Sequence, residues 1–392
     1  MAEGDAGVVI VGGGLAGAKT AEALRDQGYD APVTLLAAED ELPYERPPLS
    51  KGYLMGEAEF DDAVVHPREW YDEHHVDLRL GTEVTAIDRD AHEVEFAGGA
   101  RLAYAALVLA TGSEPRVLDV PGAEPLTLRT RADADRIRAT FGEGRRLVVV
   151  GGGWIGLEVA AAARTAGTEV TVVEASELPL LGVLGPEMGR VFADLHRSHG
   201  VDLRLGSTDL GDLEGAAVVV GVGVRPRTAL AEAAGLAVDN GVLVDRSLRS
   251  SDPDVFAVGD IANHDHPVLG HRIRVEHWNT ALHQPGTVAS VILGGDASYD
   301  DLPYFFSDQY DLGMEYVGHA TREATARVVV RGDLDGREFV AFWLDAEDRV
   351  LAAMNVNVWD VVDDTRALIL ARTPVDVDRL ADPGTPYADL RG

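Results

Sequence analysis

Two stretches of the chain repeat one pattern of apolar and polar positions. In residues 8–39 the apolar run 8–11 enters Gly12-x-Gly14-x-x-Gly17. An Ala/Leu-rich segment of helical period follows to Gln27, Gly28 closes it, and a second apolar run, 33–36, leads to Glu39. In residues 147–174 the run 147–150 enters Gly151-x-Gly153-x-x-Gly156, a helical segment follows to Ala166 with Gly167 behind it, and the run 170–173 ends at Glu174. Short unbroken apolar runs are strands covered on both faces, and the segments between them are long enough to cross over as helices. Each copy therefore predicts a βαβ unit of a parallel sheet. Further runs predict more buried strands: 107–110, ending in Thr111-Gly112, 218–220, running into Gly221-Val222-Gly223, and 255–258, leading into Gly259-Asp260. Downstream the pattern changes. Alternating runs at 326–330, 339–344 and 350–354, with turn signals at Gly332-Asp333 and Asp345-Ala346, predict an antiparallel sheet, and a last helix is expected over 359–371. The expected class is α/β: two Rossmann-like dinucleotide-binding domains plus a C-terminal α+β domain.

The glycine spacing has a chemical reason. The first glycine permits a tight turn, the second lets backbone N–H groups approach a pyrophosphate, and the third lets helix and strand pack closely. A diphosphate then meets the unpaired N–H groups and favourable dipole of a helix N-terminus. Glu39 and Glu174 follow their third glycines by 22 and 18 residues, near the spacing of a carboxylate that holds ribose hydroxyls. Glu174 is followed by Ala175, Ser176 and Glu177 with no basic residue close by, which favours NADH over a 2′-phosphorylated cofactor.

Composition narrows the chemistry. At 392 residues the chain is long enough for two or three domains, and it contains no cysteine. That removes disulfides, thiol nucleophiles, CxxC redox pairs, Cys-ligated zinc and thiolate-held iron–sulfur clusters. A net charge of −32 argues against nucleic acid and anionic lipid as partners. Only two lysines occur, Lys19 and Lys51. No apolar run approaches the roughly 20 residues needed to span a bilayer, and Glu3 and Asp5 stand where a signal peptide would be basic. A cytoplasmic protein is expected. His264-x-His266 with His271 is too Pro/Gly-punctuated to fix a metal geometry, His196 and His199 are expected on a surface helix, and no metal site is expected.

Several strings occur in order. They are Pro43-Tyr44-Glu45-Arg46-Pro47-Pro48-Leu49-Ser50-Lys51, Ala110-Thr111-Gly112-Ser113, the stretch from Gly151 to Glu158, Gly221-Val222-Gly223-Val224-Arg225-Pro226, Val258-Gly259-Asp260 and Pro303-Tyr304-Phe305-Phe306-Ser307-Asp308. Over almost the whole chain this set resembles the FAD-dependent NAD(P)H:ferredoxin reductases of bacterial oxygenase systems. The resemblance implies a discontinuous FAD domain (1–113 and 245–303), an NADH domain (114–244) and a C-terminal domain (304–392) covering the flavin. It implies an FAD set of Gly12, Gly14, Leu15, Ala16, Gly17, Glu39, Arg46, Lys51, Val84, Ala110, Thr111, Gly112, Gly259, Asp260, His277, Trp278 and Phe306. The corresponding NADH set is Gly151, Gly153, Trp154, Ile155, Gly156, Glu158, Glu174 and Gly223. Lys51 paired with Glu158 would be the catalytic couple beside flavin N5, the ammonium stabilising negative charge on the reduced flavin. Lys19 is expected to be solvated or to pack against the FAD diphosphate.

The implied activity is hydride transfer from NADH to FAD, then single-electron delivery to a separate iron–sulfur ferredoxin. Two readings on the same motifs stay open: an NADH oxidase or small-molecule reductase, and a non-catalytic NADH-responsive flavoprotein. Docking an acidic ferredoxin to an acidic chain requires a local arginine patch, for which Arg272 and Arg274, then Arg68 and Arg322, are the expected residues. Two departures from the family pattern stand out. Only 207–217 separates Gly206 from the next strand, which trims the NADH domain at its sheet edge, and Arg227 replaces an asparagine common there.

Overall fold

A computed structural model describes residues 6–390; Glu3 and Asp5 lie outside the described residues. Two compact units form. One holds the chain up to Arg46 with Phe60–Glu114 and Val224–Asp301, and the other holds Pro47–Glu59, Pro115–Gly223 and the chain from Leu302 onward.

In the first unit the strand Gly7–Val11 reads GVVIV and is buried at every residue, as a strand covered on both faces must be. It pairs in parallel with Val33–Leu36 on one side and with Ala100–Leu109 on the other. Val76–Arg79 extends the sheet beyond Val33–Leu36, and Val255–Ala257 pairs with the Leu107–Leu109 end. The short strand expected at 107–110 is thus the buried end of a ten-residue strand. Its other half pairs antiparallel with Glu93–Phe96, which pairs with Val84–Asp88. Those two strands are short, half exposed and carry acidic side chains, so their sequence lacks the apolar run that marks the parallel core.

In the second unit Arg146–Val150 lies between Glu169–Glu174 and Ala216–Val220, and Asp202–Leu205 closes the far edge. No strand or helix forms between Leu205 and Ala216, so the shortened segment leaves a four-stranded sheet. A five-stranded antiparallel sheet follows in the order Tyr304–Gln309, Leu312–Gly318, Val350–Val356, Glu338–Leu344, Arg327–Asp333. The helix expected from 359 begins at Val362. Asp360 takes a φ of +62°, which a helix does not admit, and Trp359 stays outside it, 52% exposed, with its indole over Gly313.

One core joins the helices Trp154–Thr165 and Leu181–Ser198 to this antiparallel sheet. Leu157, Leu184, Met188, Phe192 and Leu195 pack there with Phe339, Trp343, Met354 and Val356. The Trp343 indole N–H donates to the Leu184 carbonyl at 3.2 Å, satisfying the one polar atom that this ring brings inside. Phe192 is fully buried against the edge of Trp154. Phe192→Ala should cost about 3–5 kcal/mol, read as a lower urea midpoint at unchanged slope. A loss below about 1 kcal/mol would show that this core does not hold the unit together.

Candidate functional site

Both glycine turns are built from close backbone approaches. A Cβ on Gly12 would lie 2.2 Å from the Ala110 carbonyl oxygen, and one on Gly17 would lie 2.0 Å from the Gly12 carbonyl oxygen. In the second turn a Cβ on Gly151 would lie 2.5 Å from the Gly221 oxygen, and one on Gly156 would lie 2.1 Å from the Gly151 oxygen. The middle glycines differ. A Cβ on Gly14 meets nothing within 4 Å, and on Gly153 its nearest contact is 3.8 Å away. The first and third glycines are therefore required by packing, while the second faces open space that a ligand can occupy.

The helices that start at these turns, Leu15–Asp26 and Trp154–Thr165, have no side-chain N-cap and no acidic residue in the first turn. The helix Arg131–Arg138 shows the contrast, because Thr130 and Asp133 close it with a full capping box. Uncapped N–H groups beside an open glycine fit a diphosphate, and an acidic cap would repel one.

Around the first turn, Glu39 is clasped on both oxygens. Tyr44 Oη donates to Oε2 at 2.6 Å and the Arg46 guanidinium to Oε1 at 2.9 Å. Burial opposes ionisation here, but the Arg46 charge and the two hydrogen bonds together hold the Glu39 carboxyl below the ordinary carboxylate value. Ala110 follows the strand Ala100–Leu109, and the Thr111 hydroxyl donates to the Arg227 carbonyl while Gly112 accepts from the Arg227 N–H. Gly259 donates its N–H to the buried Gln284 side chain at 2.8 Å, and a Cβ there would press on Ala16 at 3.1 Å, so the turn that presents Asp260 packs against the first helix. Trp278 opens the helix Trp278–Ile292 with His277 as its N-cap, and Val84 begins its strand beside the same core.

Around the second turn, Glu174 accepts the Gly152 N–H at 2.6 Å and the Ser176 N–H at 2.7 Å. Ile155 and Gly223 are exposed. Trp154 packs edge-on against Phe192 and Phe305, which fixes the first residue of the helix.

The same unit contains a charge centre. Lys51 Nζ lies 2.7 Å from Glu158 Oε1, with side chains 15% and 4% exposed. The Ser307 hydroxyl donates to the same oxygen at 2.7 Å and the Ser50 hydroxyl to Oε2 at 2.5 Å. Lys51 Nζ also stands 5.4 Å from the centroid of the Phe306 ring. Asp308 faces both charges, and burial outweighs the lowering effect of Lys51, so its carboxyl is raised above the ordinary value. Tyr53, two residues after Lys51, donates to Asp135 at 2.7 Å under the Arg138 guanidinium, which anchors the Lys51 segment.

The remaining expected residues fall at particular places in the structure. Lys19 pairs with Glu22 at 2.7 Å on its own helix, an ordinary i,i+3 contact. Arg274 is 8% exposed and held by Glu276 and the Asp260 carbonyl, while Arg272 donates to the Val244 and Asn263 carbonyls. These two arginines brace the Asp260 region, and Arg272 is at the same time exposed. Arg68 donates to the Leu78 carbonyl, and Arg322 is exposed. His196 is fully buried, not on a surface face, because its helix turns that side into the core. His264 and His266 lie buried on the regular strand Ala262–His266. Among the described residues no group of three or more His, Cys, Asp or Glu is placed to hold a metal ion. Tyr44, Ser50, Ser307 and Gln309 also take part, and the first three stand inside the strings Pro43–Lys51 and Pro303–Asp308, which is the signal that points to them.

A family model described as pyridine nucleotide-disulphide oxidoreductase matches residues 6–284, and one described as reductase C-terminal matches 304–391. The chain is 42% identical over 394 residues to the anthranilate 1,2-dioxygenase system ferredoxin–NAD(+) reductase component of Burkholderia cepacia, covering 96% of this chain and 97% of that one. It is 36% identical over 408 residues to putidaredoxin reductase of Pseudomonas putida, covering 98% and 96%. The crystal structure of the covalent putidaredoxin reductase–putidaredoxin complex superposes with a TM-score of 0.91 at 36% identity, covering 99% of this chain and 98% of that one.

The glycine geometry separates folding from binding. Gly14→Ala should melt as the wild type does in the apoprotein, yet retain bound dinucleotide at least about tenfold more weakly. Gly17→Ala should lose both, since its Cβ collides with backbone. Equal loss of stability in the two variants would refute this division.

Proposed function

The chain belongs to the pyridine nucleotide-disulphide oxidoreductase family, and from that premise we propose that it is the NADH-dependent flavoprotein reductase of an oxygenase system, delivering electrons singly to a separate iron–sulfur ferredoxin. The observation that carries this reading is the Lys51–Glu158 charge centre, in a chain with no cysteine. A fold whose relatives reduce disulphides has here no thiol to receive electrons, so the acceptor is another molecule. When bound, FAD accepts hydride from NADH and releases electrons one at a time.

The chain's residues orient and stabilise. The helix N-termini behind Gly14 and Gly153, with Leu15, Ala16, Trp154 and Ile155 in their first turns, hold diphosphates, and Glu39 and Glu174 accept ribose hydroxyls. Arg46 keeps Glu39 in place, Asp260 meets the ribityl chain, and Trp278 and Phe306 provide aromatic surface. The Lys51 ammonium supplies positive charge where negative charge develops, and Glu158 keeps it oriented. We assign 1–113 with 245–303 to FAD binding, 114–244 to NADH binding and 304–392 to the C-terminal α+β domain. We place the protein in the cytoplasm, where NADH is regenerated; among the described residues no helix is long and apolar enough to cross a membrane.

Stopped-flow reduction of the purified flavoprotein by each nicotinamide, with cytochrome c reduction in the presence and absence of a ferredoxin, tests the reading. NADH should reduce the flavin much faster than NADPH does, and cytochrome c reduction should require ferredoxin; a preference for NADPH would overturn the role of Glu174. Lys51→Met should slow flavin reduction by roughly 100-fold while FAD stays bound. An unchanged rate would remove Lys51 from the mechanism. Glu174→Ala should raise the KM for NADH by about tenfold and narrow the gap to NADPH.

A further inference from the structure

We propose that His196, acting through Gln309 and Ser307, fixes the direction of the hydrogen bonds that end on Glu158, and is thereby a positioning residue for the Lys51–Glu158 centre. This rests on the role given to that centre above. His196 Nε2 lies 2.9 Å from Gln309 Oε1, Gln309 Nε2 donates to Ser307 Oγ at 3.1 Å, and Ser307 Oγ donates to Glu158 Oε1 at 2.7 Å. All four side chains are buried, so each member must find its partner inside the chain.

The direction follows from proton inventory. A serine hydroxyl has one proton; if Ser307 accepts from the Gln309 amide, its proton is free to go to Glu158. An amide has one donor end and one acceptor end, so Gln309 presents its NH2 to Ser307 only while its carbonyl faces a donor. His196 is that donor, and it requires the proton on Nε2. Were the amide reversed, Ser307 would donate to the Gln309 carbonyl and Glu158 would keep only Lys51 and Ser50. Burial, partly opposed by the Gln309 hydrogen bond, lowers the His196 pKa to about 4, so the ring does not change charge near neutral pH. Its Nδ1 is buried with no partner, and its neighbours are His199 and Tyr310, the latter at 5.3 Å between ring centroids. The charged groups around Glu158 are Lys51 and Asp308, with Glu315 behind Asp308.

The holoenzyme labelled with 15N-histidine gives a readout independent of turnover. The His196 signals should report a neutral Nε2–H ring across neutral pH; an Nδ1–H ring, or titration near the ordinary histidine value, would overturn the proposal. The pH profile of flavin reduction by NADH supplies the second readout. Ser307→Ala and His196→Phe each deprive Glu158 of the same donor, so the acidic limb of that profile should move by the same amount in both. It should move no further in the double variant, and His196→Gln, which keeps a donor, should restore it. An additive double variant, or a His196→Phe protein that is less stable with its limb in place, would reduce His196 to a packing role. Ser307→Ala, a small change, tests the chain should His196→Phe not fold. A wild-type rate in Lys51→Met would instead refute the charge centre itself, and with it the positioning role.

Discussion

At the first and third glycines of both turns a backbone carbonyl sits where a side chain would otherwise begin. Gly12 and Gly17 of the first turn, and Gly151 and Gly156 of the second, each leave less than 3 Å between a hypothetical Cβ and a carbonyl oxygen. This lets helix, turn and neighbouring strand close on one another, and it aims the helix N-terminus at the crevice beyond the strand ends. Where Gly14 and Gly153 leave room, the uncapped N–H groups have no partner from the chain's own side chains. The same packing that makes each βαβ unit compact thus leaves each an electropositive opening.

A dinucleotide fold alone does not determine a reaction, and the charge centre supplies what the cradles lack. A lysine drawn 2.7 Å from a buried carboxylate is costly unless the carboxylate is otherwise satisfied. Two serine hydroxyls meet that condition, one beside Lys51 in sequence and one on the antiparallel sheet. The C-terminal sheet therefore does more than complete a core, since Ser307 on it contributes to the surroundings of the Lys51–Glu158 pair. With no thiol to receive electrons the chain passes them outward to a partner, and at a net charge of −32 docking that partner depends on local charge.

The parts legible in the sequence were those with a strict physical period. The parallel strands announce themselves as unbroken apolar runs, and the glycine spacing and trailing acids define the cradles. The antiparallel sheet shows in its alternation. Less visible was the hairpin Val84–Asp88 with Glu93–Phe96, whose exposed acidic faces mimic a loop. Helix orientation was also hidden, so His196 read as a surface residue although its side chain enters the core. Nor does the sequence reveal that carbonyls hold Arg272 and that Glu276 holds Arg274. Lys51 stood out through the scarcity of lysine and the string around it, whereas Ser50, Ser307 and Gln309 gain meaning only once three distant segments converge.

The central claim is that electrons enter from NADH and leave singly to an iron–sulfur protein. Its most direct test is anaerobic: reduce the flavoprotein with one equivalent of NADH, add oxidised one-electron ferredoxin, and follow both chromophores. The account predicts rapid reduction of about two equivalents of ferredoxin per flavin, at a rate that depends on salt. A reduced protein that leaves ferredoxin oxidised, yet discharges to oxygen or a small quinone as fast as it turns over, would contradict it.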